Sequence, residues 1–303
     1  MKVFFLFTTK IKIFALDFLI IMKYIIIIPA YNEEKFIQIT LNSILNQTVL
    51  PDKIVIVNDN STDLTAEIVA KFTLQNKSIT LINNVSEAIC LPGSKVIKAF
   101  QKGLESVIDD YDIIVKLDAD LILPSNYFET ILNIFISDKK IGMAGGFAYI
   151  EKNGDWILEN LTNKDHIRGA FKAYRKECFE QIGGLQPQMG WDTVDELLCK
   201  FYGWKVVTDK NLKVKHLKPT GVNYNSMARF NQGEAFYCLG YGFYITAIAS
   251  FKLAILKKMP LLFFDYLNGF WKAKKQKKPL LVTNEQAKFI RKYRWQKMKA
   301  KLF

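Results

Sequence analysis

The chain has 303 residues, of which 50% are hydrophobic and 23% are charged, a size and composition that exclude a disordered protein and allow one large core or two modest ones. None of its four cysteines has CxxC spacing, which argues against a zinc site or a disulfide framework and favours a reducing compartment. Of the net charge of +13, residues 271–303 carry +11, from twelve Lys or Arg and one acid, so residues 1–270 carry only +2. Such a tail favours a polyanionic partner, either anionic lipid or nucleic acid.

Residues 1–21 are apolar but are interrupted by Lys10, Lys12 and Asp17. Their uncharged runs are too short to span a membrane, and no small-residue cleavage site follows a clean apolar core. We therefore expect an N-terminal extension that need not belong to the natural fold. Either translation starts at Met22, or the leader adds a loosely held strand or helix.

The next part of the chain alternates buried strands with helices. Continuous apolar runs predict four strands at Tyr24–Ile28, Ile54–Val57, Ile79–Ile82 and Ile113–Val115. The segments between them have helical spacing, as in a doubly wound α/β domain. We expect Pro29 to end the first strand and Asn32 to cap the helix after it.

Polar clusters follow three of the predicted strands. They are Ala30-Tyr31-Asn32-Glu33, Asn58-Asp59-Asn60 and Asp118-Ala119-Asp120. Because ligands bind beyond the carboxyl ends of the strands in such sheets, we expect the three clusters to meet at one edge. The two carboxylates of Asp118 and Asp120 leave the strand on the same side and can hold Mg²⁺ or Mn²⁺, with positions open for phosphate oxygens.

The second half is less regular. We predict a short strand at Phe147–Ile150, a helix from Trp191 to Tyr202 and a strand at Trp204–Val207. The apolar and aromatic stretch Ala235–Leu256 precedes the polycationic tail. We expect residues 226–303 to form helices that lie in a membrane interface; the alternative is a helical cap on the body with a solvated tail.

From about Met22 to Gly221, the chain resembles family 2 glycosyltransferases of the GT-A fold. The motifs that carry the resemblance are Ile28-Pro29-Ala30-Tyr31-Asn32-Glu33-Glu34, Val57-Asn58-Asp59-Asn60-Ser61-Thr62-Asp63, Leu117-Asp118-Ala119-Asp120, Ile182-Gly183-Gly184 and Trp191-Asp192 ahead of Gly203-Trp204-Lys205-Val206. The resemblance implies an α/β fold with a Rossmann-like doubly wound mixed sheet flanked by helices, in a domain over residues 22–225.

The activity implied by the resemblance is inverting transfer of a sugar from a UDP- or GDP-sugar to a hydroxyl acceptor. The acceptor would be a glycan or lipid-linked molecule in surface polysaccharide, lipopolysaccharide or glycolipid synthesis. The enzyme would work at the cytoplasmic face of a membrane, as a peripheral or monotopic protein.

The resemblance also implies roles for individual residues. Those expected to bind the donor are Pro29, Ala30, Tyr31, Glu33, Asp59, Asp118 and Ala119; Lys95, which follows Pro92-Gly93-Ser94 at a predicted helix start, is expected to add a phosphate contact. Those expected to bind Mn²⁺ or Mg²⁺ are Asp118, Asp120 and His216. Asn58 departs from the family, which usually has an acid there, and this leaves the choice of nucleobase open.

An inverting transfer needs a general base for the acceptor hydroxyl. Counting back from Gly203, Asp192 occupies the place of the second acid of the family's Glu-Asp motif, while Trp191 replaces the first. Asp195, three residues further on the same helix face, is the reserve candidate.

Two other classes of function use similar features. A nucleic-acid-binding protein could use the basic tail, but nothing in the body resembles a nucleic-acid module, so we expect no nucleic-acid partner. A nucleotidyltransferase also uses paired acids, but its first strand usually leads into a basic, glycine-rich loop. Here that turn is acidic and has no glycine.

Overall fold

The computed structural model describes residues 22–86, 93–108, 110–159, 166–218 and 228–300. These residues group into two compact units. Of the described residues, the first unit comprises 22–86, 98–108, 110–159, 166–183 and 204–218, and the second comprises 93–97, 184–203 and 228–300. The expected leader, residues 1–21, lies outside the described residues.

The first unit is built on one mixed sheet, nine-stranded over the described residues. Its strands are β1 (Tyr24–Ala30), β2 (Lys53–Asp59), β3 (Ile79–Asn84), β4 (Ile113–Leu117), β5 (Leu121–Ile122), β6 (Ile141–Lys152), β7 (Asp155–Leu158), β8 (Phe171–Arg175) and β9 (Lys205–His216). Their order is β3-β2-β1-β4-β8-β6-β9-β5, and β7 pairs with β6 outside this path.

Helices connect the strands and make up most of the second unit. They are α1 (Ile37–Leu45), α2 (Thr65–Gln75), α3 (Ser94–Glu105), α4 (Tyr127–Ser137), α5 (Lys176–Gln181), α6 (Trp191–Phe201), α7 (Ala228–Cys238), α8 (Gly242–Leu256), α9 (Leu262–Lys275) and α10 (Asn284–Lys299). The predicted helix near Trp191 is confirmed.

Parallel pairing of β3, β2, β1 and β4 forms the half of the sheet that was predicted. The register sets Ala30 opposite Asn58 and Ile27 opposite Lys116, so the strands end at one edge. Of these strands, β1, β2 and β4 are buried along nearly their whole length, which explains why their sequences are mostly continuous apolar runs rather than alternating ones. This register therefore places the polar residues that follow β1, β2 and β4 at the same edge of the sheet, as predicted.

Two details of the first crossover differ from the prediction. Pro29 does not end β1, which continues to Ala30; pairing with β4 stops at Ile27, so the missing N–H of Pro29 falls beyond that ladder. Asn32 does not cap α1, which begins at Ile37 without a side-chain cap. Asn32 instead adopts a left-handed conformation (φ 54°) and accepts a hydrogen bond from the backbone N–H of Thr62 at 2.8 Å. Asn32 thus joins the turn after β1 to the turn after β2.

The second half of the sheet contains longer strands than the sequence pattern predicted. The run Phe147–Ile150 is part of the twelve-residue β6, and the run predicted at Trp204–Val207 begins the twelve-residue β9. These strands pair in parallel with irregularities in register. At Gly146 a Cβ atom would lie 2.3 Å from the carbonyl oxygen of Leu212, so only glycine permits this approach of β6 to β9.

In the second unit, the apolar stretch Ala235–Leu256 is divided between two helices. Gly240, which follows the end of α7, and Gly242, the first residue of α8, have positive φ angles (69° and 72°), so the chain turns between the two helices. In the part of the chain that the structure describes, no helix combines the length and apolarity needed to cross a membrane. The predicted boundary near residue 225 stays a prediction, although Gly184–Gly203 groups with the C-terminal helices.

Helices α7 and α9 approach each other closely through glycine. A Cβ atom on Gly233 would lie 1.8 Å from the carbonyl oxygen of Tyr266, and one on Gly269 would lie 2.0 Å from that of Phe230. Both obstacles are backbone atoms, which cannot rotate away as a side chain can. The crossing of these two helices therefore depends on both glycines.

We predict that Gly269→Ala destabilises the second unit by about 1–3 kcal/mol, because the added methyl group forces the two backbones apart. The neighbouring variant Asn268→Ala is the control, since Asn268 is exposed on the same helix and its truncation meets no backbone. Urea unfolding followed by far-UV circular dichroism measures both. Equal stability of Gly269→Ala and the wild type would contradict the close crossing.

Candidate active site

The turn between β4 and β5 carries Asp118, Ala119 and Asp120 and is fixed by backbone hydrogen bonds. The buried hydroxyl of Thr40 on α1 donates to the carbonyl of Ala119 at 2.8 Å and accepts from the N–H of Leu121 at 2.9 Å. The N–H of Asp118 donates to the carbonyl of Ala170 at 2.8 Å. Two different partners thus hold the turn, so the directions of its carboxylates are set in advance.

Strand β9 brings His216 to the same turn. Its last residue, His216, is paired with Leu121, and the N–H of Leu217 donates to the carbonyl of Asp120 at 2.8 Å. Ligand atoms of Asp118, Asp120 and His216 all lie within 4.8 Å of one another. The structure therefore brings together the three residues that the resemblance implied as metal ligands.

The electrostatics of this group suit a cation. His216 Nε2 lies 3.3 Å from Asp120 Oδ2. Burial lowers the pKa of His216, but the hydrogen bond to Asp120 and the negative charges of Asp120, Asp118 and Glu159 outweigh burial and raise it. The negative charges that raise the pKa of His216 would also favour a divalent cation at this position. Two carboxylates and an imidazole are a donor set that Mn²⁺ accepts.

Lys116 provides a fixed positive charge beside the group. It is 2% exposed, lies two residues before Asp118 on β4, and its ammonium contacts Asp118 Oδ1. A buried lysine requires such a partner, because an unpaired charge in the interior is strongly unfavourable. Lys116 therefore offsets part of the negative charge of the site.

Glu33 lies in the turn after β1 and faces Lys218. Lys218 Nζ donates to Glu33 Oε2 at 2.5 Å. Burial raises the pKa of Glu33 to about 7; the negative charges of Asp120 and Asp118 act in the same direction, while Lys218 opposes them. The influence of both aspartates shows that Glu33 lies near the three candidate ligands.

The other residues of the first unit that were expected to bind the sugar donor lie at the same sheet edge. Asp59 is buried and accepts a hydrogen bond from Asn84 Nδ2 at 2.7 Å through Oδ1. Asn58 Nδ2 donates to Asn83 Oδ1 at 2.9 Å, which gives this amide a structural partner on β3. The ring of Tyr31 is 58% exposed and presents a flat apolar surface to solvent. Pro29 and Ala30 form the end of β1.

The proposed base and one donor residue belong to the second unit. Asp192 is half-buried in the first turn of α6, whereas Asp195 is 1% exposed and accepts a hydrogen bond from the N–H of Glu196 at 2.6 Å. Of the two candidates, Asp192 is the more accessible. Lys95 is half-buried near the start of α3.

Residues from the C-terminal helices surround the acids of α6. Arg294 on α10 donates to the hydroxyl of Tyr241, which is almost fully buried. Burial raises the pKa of Tyr241, Arg294 opposes this, and the negative charges of Asp192 and Glu196 add to it. The basic C-terminal region contacts α6 over part of its length, with the rings of Phe289 and Phe201 5.4 Å apart, and is not simply a solvated tail.

Sequence reasoning missed Thr40, Lys116 and Lys218. Thr40 is one of several helix residues with apolar neighbours, and no local pattern marks its long-range hydrogen bonds. For the two lysines the sequence did contain a signal, because each lies two residues from an expected ligand: Lys116 precedes Asp118 near the end of β4, and Lys218 follows His216 just after β9.

Curated proteins of similar sequence match about half of this chain or less. The chain is 25% identical over 185 residues to the O-antigen chain rhamnosyltransferase RfbN of Salmonella typhimurium, a match that covers 54% of this chain and 56% of RfbN. The chain spans between 11% and 56% of the length of the curated relatives it matches.

Solved structures show the same fold. The mannosyltransferase PcManGT from Pyrobaculum calidifontis, in complex with GDP-Man and Mn²⁺, matches with a TM-score of 0.54 at 16% identity over 88% of this chain and 78% of that one. GalNAc-T7 with UDP, GalNAc and Mn²⁺ matches with a TM-score of 0.60 at 15% identity over 76% of this chain and 50% of that one. The predicted GT-A fold is confirmed.

The family model described as "Glycosyl transferase family 2" matches residues 25–189. That range includes the turns after β1, β2 and β4 and ends before Asp192 and His216, whose roles therefore depend on other arguments. Because the match covers more than half of the chain and agrees with the fold, the chain belongs to glycosyl transferase family 2.

Proposed function

We propose that this protein is a metal-dependent inverting glycosyltransferase that moves a sugar from a nucleoside-diphosphate sugar to a hydroxyl acceptor. The observation that carries the proposal is the convergence of Asp118, Asp120 and His216 at the carboxyl edge of a GT-A sheet. Membership of the family supplies the reaction class, which is sugar transfer. The charged groups around Asp118 and Asp120 support the same reaction for this chain.

The donor nucleotide would bind along the ends of β1, β2 and β4. The exposed ring of Tyr31 offers a surface on which a nucleobase can stack, beside Pro29 and Ala30. Asp59 would accept a hydrogen bond from the base or ribose. Glu33 would accept one from a ribose hydroxyl; Lys218 already contacts its Oε2, which makes Oε1 the candidate acceptor.

The diphosphate would be recognised by the acidic turn and the lysines around it. Asp118, Asp120 and His216 would hold Mn²⁺ or Mg²⁺, and such a cation neutralises charge that develops on the departing nucleotide. Asp118 and Ala119 would also contact the ribose side of the donor. Lys95, near the N-terminus of α3, would add a phosphate contact.

Asp192 would act as general base. Its carboxylate would take the proton of the acceptor hydroxyl while that oxygen attacks the anomeric carbon and the nucleoside diphosphate leaves. Attack from the face opposite the leaving group inverts the anomeric centre. The support for Asp192 is its place in the family motif and its greater accessibility than Asp195.

The acceptor is proposed to be a growing glycan or a lipid-linked molecule in surface polysaccharide, lipopolysaccharide or glycolipid synthesis. The likeness to RfbN supports a polysaccharide of this kind. PcManGT was solved with GDP-Man and GalNAc-T7 with UDP, so both GDP- and UDP-sugars are reasonable donors to test. Work at the cytoplasmic face of a membrane is part of the same proposal.

A donor screen with Mn²⁺ or Mg²⁺ tests the reaction class. Release of UDP or GDP from a nucleotide sugar supports glycosyl transfer, whereas release of pyrophosphate from a nucleoside triphosphate would indicate a nucleotidyltransferase. Salt-sensitive binding of DNA or RNA without turnover would indicate a nucleic-acid-binding protein instead.

We predict that Asp120→Asn lowers the metal-dependent transfer rate on the order of 100-fold or more, because a neutral amide is a poorer ligand and leaves diphosphate charge less compensated. Calorimetric titration with Mn²⁺ in the presence of donor should show weaker binding. Asp155→Asn makes the same chemical change at an exposed position of β7 and should behave as the wild type. Retention of wild-type Mn²⁺ affinity by Asp120→Asn would show that Asp120 is not a ligand.

We predict that Asp192→Asn keeps donor affinity but reduces transfer about 10²–10⁴-fold, because the amide cannot accept the acceptor's proton. Donor binding is measured by calorimetry and transfer by single-turnover product analysis. Asp195→Asn provides the comparison. If Asp195→Asn loses transfer while folded and Asp192→Asn does not, the base is Asp195 and our choice is wrong.

The raised pKa of Glu33 predicts a pH-dependent contribution to stability. Between its ordinary value of 4.5 and about 7, the folded protein keeps a proton on Glu33 that the unfolded chain has released. Ionisation in the folded state is unfavourable, so this residue lowers the free energy of unfolding as pH rises through that window. The loss is absent at pH values below the window and complete above it.

We therefore expect Glu33→Gln to gain stability relative to the wild type as pH rises from about 4.5 to 7, by at most about 3 kcal/mol, with no further gain above. Urea unfolding in EDTA at a series of pH values measures the difference. Lys218→Met should move the Glu33 transition to higher pH, because Lys218 lowers the pKa of Glu33. A difference between Glu33→Gln and the wild type that is constant with pH would contradict the assignment.

A further inference from the structure

Helix α8 places large apolar side chains in solvent and small ones inside. Tyr244, Ile248, Phe251 and Ile255 follow one another at helical spacing and are 73%, 43%, 60% and 61% exposed. Of the four buried residues of this helix, Thr246 and Ser250 are fully buried and Ala254 is 4% exposed, and Ile245, also 4% exposed, is the one large side chain among them. A surface helix in water has the opposite arrangement. Small residues inside and bulky apolar residues outside are typical of helices that face lipid.

The apolar surface continues onto α9. Leu261 and Phe264 are 71% and 61% exposed. A ring contact connects the two helices, with the centroids of Phe251 on α8 and Phe263 on α9 6.2 Å apart, and Phe264 lies next to Phe263 on α9, with centroids 5.2 Å apart. We call this surface, formed by Tyr244, Ile248, Phe251 and Ile255 of α8 with Leu261 and Phe264, the apolar face of the hairpin. A continuous exposed surface of this kind indicates a partner.

The charges around the apolar face identify the kind of partner. From residue 242 to residue 283 the sequence has eight lysines and a single acid, Asp265. Lys252, Lys257 and Lys258 are exposed at the end of α8 and in the connection to α9. A second copy of this chain would bring like charges together, whereas anionic lipid headgroups would neutralise them.

The length of the hairpin limits how deeply it can enter a membrane. Helix α8 has 15 residues, about 22 Å at the rise of an α-helix, and is shorter than the roughly 30 Å of a hydrocarbon core. Lysines beside an apolar stripe can keep their ammonium groups at the phosphate level while their stems stay in apolar surroundings. The hairpin therefore fits an orientation along the interface rather than across it.

We propose that the apolar face of the α8–α9 hairpin inserts into the headgroup and acyl boundary of a bilayer that contains anionic lipid, with Lys252, Lys257 and Lys258 against the lipid phosphates. The proposal does not depend on the sugar-transfer activity. It assigns the membrane contact to one face of two helices, whereas the sequence pattern pointed only to residues 226–303 as a whole.

The test is flotation of the full chain with two kinds of vesicle, phosphatidylcholine alone and phosphatidylcholine with 30% phosphatidylglycerol. We expect binding to the anionic vesicles that weakens in high salt. The combined variant Ile248→Ser, Phe251→Ser and Phe264→Ser should lower the partition coefficient at least about tenfold, because it removes apolar area from the inserted face. Replacement of Lys252, Lys257 and Lys258 by Gln should lower binding to anionic vesicles about 100-fold.

A matched control makes the same kind of change elsewhere. Leu74→Ser, Val85→Ser and Ile108→Ser together remove three apolar residues of the first unit that are 88%, 89% and 92% exposed, and this variant should bind vesicles as the wild type does. Circular dichroism and thermal unfolding establish that each variant is folded.

Three results would overturn the proposal. One is wild-type protein that floats with neither kind of vesicle. Another is vesicle binding that survives the hairpin substitutions but is lost on replacement of Phe4 and Phe5 by Ser, which would assign the contact to the leader. The third is a dimer in sedimentation that the hairpin substitutions dissociate without any effect on vesicle binding.

Discussion

The candidate active site depends on a turn whose geometry is fixed from outside. Two acids one residue apart repel each other, so their own interaction cannot hold them together. Thr40 binds the backbone of the turn on both sides of Asp120, Ala170 binds the N–H of Asp118, and Leu217, directly after β9, donates its N–H to the carbonyl of Asp120. Hydrogen bonds from the rest of the fold therefore keep the two carboxylates close together despite their mutual repulsion. Preorganised charge of this kind is what electrostatic catalysis requires.

The parts of the structure that the sequence predicted are those governed by local patterns. Strands β1 to β4 are continuous apolar runs, and α6 has clear helical spacing, so both were found close to their observed bounds. The meeting of Asp59 and Asp118 at one edge followed from the general rule for parallel sheets. His216 was found only through the family resemblance, because nothing near residue 216 indicates that β9 pairs with the strand after Asp120.

The failures have a common physical cause, which is contact between distant parts of the chain. Asn32 looked like a helix cap, but its side chain binds the backbone of Thr62 from the next crossover instead. Strand β6 was predicted only over Phe147–Ile150, whereas it begins at Ile141 and Gly146 permits its close approach to Leu212 on β9. No pattern in the sequence identified Thr40 as a residue that fixes the turn. Local propensity predicts which elements form, and tertiary contacts decide where they end and which side chains they bring together.

The contact between Lys116 and Asp118 has a consequence for the order in which ligands bind. The ammonium of Lys116 contacts Asp118, and the imidazole of His216 lies beside Asp120, so the protein groups here already compensate part of one another's charges. A divalent cation on its own would have to approach the ammonium. A cation that arrives already chelated by a nucleoside diphosphate brings compensating anions with it, so each ligand strengthens the binding of the other. The metal would then behave as a component of the substrate, exchanged at every turnover, rather than as a permanent part of the enzyme.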